Sequence, residues 1–204
     1  MKLLFLFLLA VQIYATEITK VVGISEEWKG ATEKNCKGLY WEVATEVFAL
    51  SNIKLECKLA PYARGVKLVE KKKVDFWVGS YENEESFPYY PEVAISADNV
   101  SVLYDTTRQT FNNLEDIKNK KVAWIRDYDY DKYIDIQMNI KEIKDKKNLK
   151  IKTLMELKTY MAFARNNRGK ELTKLWDKNM RILDKSGKLK EVFNRYHDSD
   201  FYPF

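Results

Sequence analysis

The sequence predicts an α/β protein whose sheet is at least partly parallel. Three observations lead there. Residues 53–80 alternate, turn helical, then alternate again, and such a crossover is what parallel neighbours require. A second apolar strand, Lys121-Val122-Ala123-Trp124-Ile125, follows a polar stretch, so a second sheet is expected. The chain closes on two amphipathic helices separated by Ser186-Gly187, suited to cover a sheet face.

The first 15 residues read as a secretory signal. Lys2 is the positive flank, Leu3 to Val11 is apolar, and Ala15 is a small residue at the cleavage point. The run is too short to span a bilayer, so an exported mature chain starting near Thr16 is expected. Ile18 to Ile24 forms the first strand, with Ser25, Glu26, Glu27 and Trp28 at its carboxyl end. A helix from Gly38 to Ala49 turns Leu39, Val43, Val47 and Leu50 to one side, and Ser51-Asn52 stops it.

The βαβ unit follows. Ile53, Leu55, Cys57 and Leu59 alternate with charged residues. Pro61 suits a first helical turn, where its missing N–H has no intrahelical partner. Val66, Leu68 and Val69 give the helix an apolar side, and Lys71 to Lys73 close it where the macrodipole is negative. Val74, Phe76 and Val78 then alternate with Asp75 and Trp77 until Gly79-Ser80 ends the run. Phe76 and Trp77 point oppositely, so Trp77 is expected under a helix on the second face.

An acidic loop and Phe87-Pro88-Tyr89-Tyr90-Pro91 are irregular by their prolines. Val93 to Ile95 and Val100 to Tyr104 are extended, and Asp105 to Asn112 is a polar crossing. A short helix, Leu114 to Lys118, leads into the Val122 strand, with Arg126 and Asp127 at its end and a helix over 131–137. Residues 141–152 are dense in charge, and Lys158 to Ala164 is again strand-like. Leu172, Leu175, Trp176, Met180 and Leu183 mark one terminal helix, and Leu189, Val192, Phe193 and Tyr196 the other. Trp124 and Trp176 are assigned to cores.

Export permits a disulfide between Cys36 and Cys57. Cysteines on strand faces also serve as plain small hydrophobes, and two separate buried thiols are the favoured reading.

Composition narrows the function classes. The net charge of +5 has no basic block behind it, which argues against a nucleic-acid partner. His197 is the only histidine, which removes most histidine-dependent nucleophilic designs. Two cysteines and one histidine make no zinc cluster, and seven scattered glycines make no phosphate loop. Carboxylate pairs such as Glu84 and Glu85 carry little information among 30 acidic residues. An enzyme is therefore disfavoured, and no cofactor or metal is expected.

Open parallel sheets bind ligands beyond the carboxyl ends of their strands. Those ends carry Trp28, Tyr62, Arg64, Ser80 and Tyr81, with Arg126 and Tyr128 on the second sheet. Arg64 offers a planar fork for an acidic group, against the plainer role of a surface ion pair. Arg126 has Asp127 and Asp129 as neighbours. Trp28, Tyr62 and Tyr81 form a candidate aromatic wall, against ordinary packing.

Several pieces occur in a suggestive order. They are Gly38-Leu39-Tyr40-Trp41-Glu42, Pro61-Tyr62-Ala63-Arg64, Lys73-Val74-Asp75-Phe76-Trp77-Val78-Gly79-Ser80 and Leu114-Glu115-Asp116-Ile117-Lys118 before Lys121-Val122-Ala123-Trp124. Tyr160-Met161-Ala162-Phe163, Arg168-Gly169-Lys170-Glu171-Leu172 and Ser186-Gly187-Lys188-Leu189 follow. In these the chain resembles the bacterial extracellular (periplasmic) solute-binding proteins of family 3, which serve polar amino-acid ABC importers.

The resemblance implies a two-lobe fold of the type II periplasmic-binding-protein class. Lobe 1 would comprise 16–104 plus 158–204 and lobe 2 105–157. Lobe 2 is then shorter than usual by roughly one α/β unit, on the order of 30 residues. The resemblance further implies a monomer in the periplasm that captures a small polar solute, an amino acid or related carboxylate, for an inner-membrane ABC permease. Members usually carry an Arg several residues after the Gly79 position, and it grips the ligand's carboxylate. Here that loop reads Ser80-Tyr81-Glu82-Asn83-Glu84-Glu85-Ser86, without Arg. The alternatives are a lyase- or dehydratase-like enzyme on the same scaffold, or a sensory or decayed paralogue.

Overall fold

The five described strands form one mixed sheet in the order β2-β1-β3-β5-β4 in the computed structural model, which describes residues 17–118, 120–122, 149–196 and 202–204. β1 (Lys20–Ser25), β2 (Lys54–Leu59) and β3 (Phe76–Tyr81) are parallel. They are joined by α1 (Leu39–Ala49) and α2 (Tyr62–Glu70). β4 (Ser96–Asp105) and β5 (Leu149–Phe163) add antiparallel, with β5 between β3 and β4. α3 (Asn167–Lys185) and α4 (Lys188–Arg195) finish the described chain apart from its last residues.

Helices cover both faces of the sheet. α1, α3 and α4 close one face over Trp41, Phe48, Phe76, Phe163, Trp176 and Phe193, all fully buried. α2 covers the other over Ile24, Val69, Val74 and Trp77. Phe76 and Trp77 therefore divide between the two cores, as strand alternation demands. Two of the buried polar ends find backbone partners: Trp176 Nε1 donates to the Val93 carbonyl (3.0 Å) and Asn179 Nδ2 to that of Val47 (2.8 Å). At the amino end of β3, Asp75 accepts from the Val22 N–H (2.8 Å) and from Arg168 Nε (2.6 Å), which ties α3 to the sheet.

Four expectations need correction. Cys36 and Cys57 are not separate thiols; they form a disulfide, with Cα atoms 5.5 Å apart. β2 is an edge strand, so Cys57 is only half-buried and meets the short 3₁₀ turn Lys34–Cys36 that lies over it. Gly79-Ser80 does not end β3. The strand continues to Tyr81 across a register shift between Val78 and Ser80, where Gly79 takes a φ of +86°.

The returning strand starts not at Lys158 but at Leu149. It pairs with β4 over ten residues, so Asp105 lies at the far end of a long ribbon. Beside that ribbon a third cluster gathers Tyr104, Phe111 and Ile117 against Val100, Val102, Leu154 and Met155. Finally, the short helix is a 3₁₀ turn, Leu114–Ile117, with an Asn113/Asp116 capping box, and Lys121-Val122 are not in a strand. The rest of that strand with Trp124, the helix over 131–137, Arg126, Tyr128 and the leader over 1–15 lie outside the described residues.

Candidate functional site

β1, β2 and β3 run the same way, so Ser25, Leu59 and Tyr81 end at one edge of the sheet. Trp28 follows β1 in a tight turn: its N–H donates to the Thr32 carbonyl (3.1 Å), and Thr32 Oγ1 donates to the Glu26 carbonyl (2.7 Å). The turn brings the six-membered ring of the indole against Gly79. A β-carbon at Gly79 would fall 2.5 Å from that ring, and the positive φ there also favours glycine. The ring centroids of Trp28 and Tyr62 are 6.2 Å apart.

Tyr62 opens α2 directly after Pro61, which puts its ring under the carboxyl ends of the strands. Its hydroxyl donates to Glu84 Oε2 (2.6 Å) and accepts from Trp77 Nε1 (3.2 Å). The same carboxylate oxygen accepts from Ser80 Oγ (2.8 Å) and from the Tyr81 N–H (3.2 Å). Glu84 is only 8% exposed. Three neutral donors on one oxygen explain how a carboxylate is tolerated there. Ser80 Oγ also lies 3.1 Å from the Tyr90 hydroxyl, which accepts from the Glu85 N–H (3.1 Å).

Burial pushes the Tyr62 phenol well above its ordinary range, and the Glu84 charge and hydrogen bond push it the same way. Burial likewise raises Tyr90 and Tyr160, with the charge of Glu84 adding to the first and that of Glu82 to the second. These phenols are donors at neutral pH.

The residues singled out from sequence fall in three groups. Trp28, Tyr62 and Ser80 join one network, and Tyr81 contributes its backbone N–H to it. The Tyr81 ring turns to the opposite face of β3 from Ser80, where its hydroxyl reaches Asp98 Oδ2 (3.4 Å). Arg64 is exposed on α2, two residues from Tyr62 and so on a different side of the helix. Arg126 and Tyr128 lie outside the described residues. Sequence reasoning missed Glu84, Trp77, Tyr90 and Asp98. A serine and a glutamate flanking a tyrosine behind Gly79 give no periodic signal, so only the fold reveals that they converge.

Chemically, this edge sets the half-buried Trp28 ring against a buried group of hydroxyls and one acid that satisfy one another. Among the described residues no group of His, Cys, Asp and Glu could hold a metal ion.

No protein-family model matches the chain, and no curated protein matches it. Solved structures do. The probable amino-acid ABC transporter extracellular-binding protein YtmK of Bacillus subtilis matches with a TM-score of 0.63 at 14% identity, covering 90% of this chain and 100% of that one. A putative L-cystine ABC transporter protein from Listeria monocytogenes gives 0.65 at 14%, covering 91% and 98%. A histidine kinase sensor domain with similarity to periplasmic binding proteins gives 0.70 at 13%, covering 88% and 96%.

The fold is that of the type II periplasmic binding proteins. The expected two-lobe α/β class is thus met, in a chain of only 204 residues. Within a type II periplasmic-binding-protein fold, the β4–β5 ribbon is the double strand by which the chain leaves the β1–β3 sheet and returns to it. The Trp28–Tyr62–Glu84 network sits beside its root, since Tyr81 and Ser96 both pair with Thr159. No helix among the described residues is long and apolar enough to cross a membrane.

Proposed function

We propose that this protein is an exported solute-binding protein. It captures a small polar solute, an amino acid or a related carboxylate, and delivers it to an inner-membrane ABC permease. The leader is removed near Ala15, and the mature monomer works in the periplasm as a binder rather than an enzyme. Lobe 1 is 16–104 with 158–204, and lobe 2 is 105–157. Trp28, Tyr62 and Ser80 meet the solute from lobe 1 beside the Tyr81 backbone, and Arg126 and Tyr128 meet it from lobe 2; Arg64, on another side of α2, and the Tyr81 ring, on the opposite face of β3, do not. Closure is a shift of population toward a state whose solute contacts exist only when the lobes meet.

One observation carries this reading: the rings of Trp28 and Tyr62 and the hydroxyl of Ser80 converge on the edge where parallel strands end. The likeness to importer binding proteins over about nine-tenths of the chain supports the delivery role. A melting-temperature screen of the mature protein against amino acids, organic acids and small amines tests it. A solute at 100 times its Kd adds about 2.7 kcal/mol, or roughly 5–11 °C for a domain of this size. A panel in which nothing raises the melting temperature counts against the reading.

A further inference from the structure

One face of α3 carries a stripe of positive charge. Lys170, Lys174, Lys178, Arg181 and Lys185 are all exposed. Spread at three- and four-residue spacing, they form no basic run in the sequence. At about 100° per residue they share an arc of roughly 80° and extend over about 22 Å of helix. Leu172, Trp176, Met180 and Leu183 are buried on the opposite side. The stripe therefore faces away from the core, and it shares no residue with the strand-end network.

Most of these charges are available. Among the described residues Lys170, Lys174, Lys178 and Lys185 make no ion pair, while Arg181 pairs with Glu92 (2.7 Å). Two of the acids on α3 are half-buried and occupied: Asp177 accepts from the Val93 N–H (2.8 Å) and Asp184 from the Tyr202 hydroxyl. Glu171 is the exposed acid of the helix. The residue types indicate the partner. Protein interfaces are depleted in lysine and built around apolar or aromatic anchors. Here Ile182, 43% exposed, is the one exposed large apolar side chain on α3. A second copy of the chain would bring charge of the same sign. Compact ammonium groups on flexible stems suit a laterally mobile array of phosphates, where a rigid fork has no advantage.

We propose that the outer face of α3 docks the exported protein on an anionic phospholipid surface, its lysines against the headgroup phosphates. The apolar side of the helix stays in the core, so the contact is peripheral and electrostatic. The proposal takes only export from the reading above. Vesicle binding is measured without solute, so its failure and a failure of solute capture are told apart.

Sedimentation of the mature protein with sucrose-loaded vesicles tests it. One set is an equal mixture of phosphatidylglycerol and phosphatidylcholine, the other phosphatidylcholine alone. A lysine near an anionic surface adds about fivefold to partitioning, so the four unpaired ones should favour the anionic set by about 100-fold or more. Lys174→Gln with Lys178→Gln should lower that binding about twentyfold. Gln is a good helix former, so the melting temperature should hold. Lys71→Gln with Lys73→Gln makes the same change in net charge at exposed positions after α2. At about 0.1 M salt, where charges beyond roughly 10 Å are screened, that pair should leave binding within about twofold. About 1 M salt should release the protein. Equal binding to both vesicle sets, an equal loss in the control pair, or binding that survives high salt overturns the proposal. Retention on immobilised polyglutamate without vesicle binding would mark an acidic protein as the partner and overturn it too.

Discussion

Replacing Glu84 probes the network at the strand ends most sharply. Its Oε2 accepts from the Tyr62 hydroxyl, Ser80 Oγ and the Tyr81 N–H at 2.6, 2.8 and 3.2 Å. Glu84→Ala strands three buried donors, each worth about 1–3 kcal/mol, and relaxation with water entry recovers part. The expected loss is about 3–5 kcal/mol. Glu84→Gln keeps the shape and one acceptor oxygen but turns charge-assisted bonds into neutral ones. After the gain from no longer burying a charge, it should cost about 1–2 kcal/mol. Urea unfolding of the solute-free mature protein measures both. A second readout is independent of stability. The Tyr62 phenol is raised first by burial and then by the Glu84 charge and hydrogen bond. In Glu84→Gln the charge goes and the hydrogen bond weakens to a neutral one, so ultraviolet titration should show one phenol ionising at lower pH than in the parent. If both variants fall within about 0.5 kcal/mol of the parent, as surface changes do, and the phenol titration is unchanged, the reasoning is refuted.

Three further outcomes are expected. Tyr62, Tyr90 and Tyr160 all have folded pKa values above their ordinary 10.0, so the stability they support is complete below pH 10. It should be lost as pH rises beyond that through the folded values. Chemical denaturation in alkaline buffers should show this fall, and Tyr62→Phe should blunt it. Gly79→Ala puts a β-carbon 2.5 Å from the Trp28 indole at a φ of +86°, and should cost about 1–3 kcal/mol with a changed tryptophan emission. The denatured, unreduced protein should titrate no thiol, and reduction or Cys57→Ser should cost about 3 kcal/mol for a loop of 21 residues.

How much of this was legible in the sequence depends on where the signal was local. The βαβ unit was legible because alternation over 53–59 and 74–78 brackets a proline-led helix, and because Phe76 and Trp77 each serve a different core. The face of α3 was legible in Leu172, Trp176, Met180 and Leu183 at helical spacing. The β4–β5 ribbon was not. Over 150–158 its lysines and glutamate sit on a partly solvated strand, where Ile151 is left 73% exposed, so hydrophobic alternation is weak. Glu84 was hidden for a different reason. Its burial is made by Tyr62, 22 residues earlier, and by Ser80, and no local pattern separates it from the exposed Glu82 beside it. The disulfide escaped because a cysteine on a strand face reads equally as a small hydrophobe, and only the fold shows Cys36 lying over Cys57 on the edge strand β2.

The central claim is that the strand-end rings hold the solute. Calorimetry on the first solute found to raise the melting temperature, comparing the parent with Trp28→Ala, tests it most directly. Losing the indole beside Tyr62 should weaken binding by about tenfold or more while the variant stays folded. Unchanged affinity in a folded Trp28→Ala protein would contradict the claim.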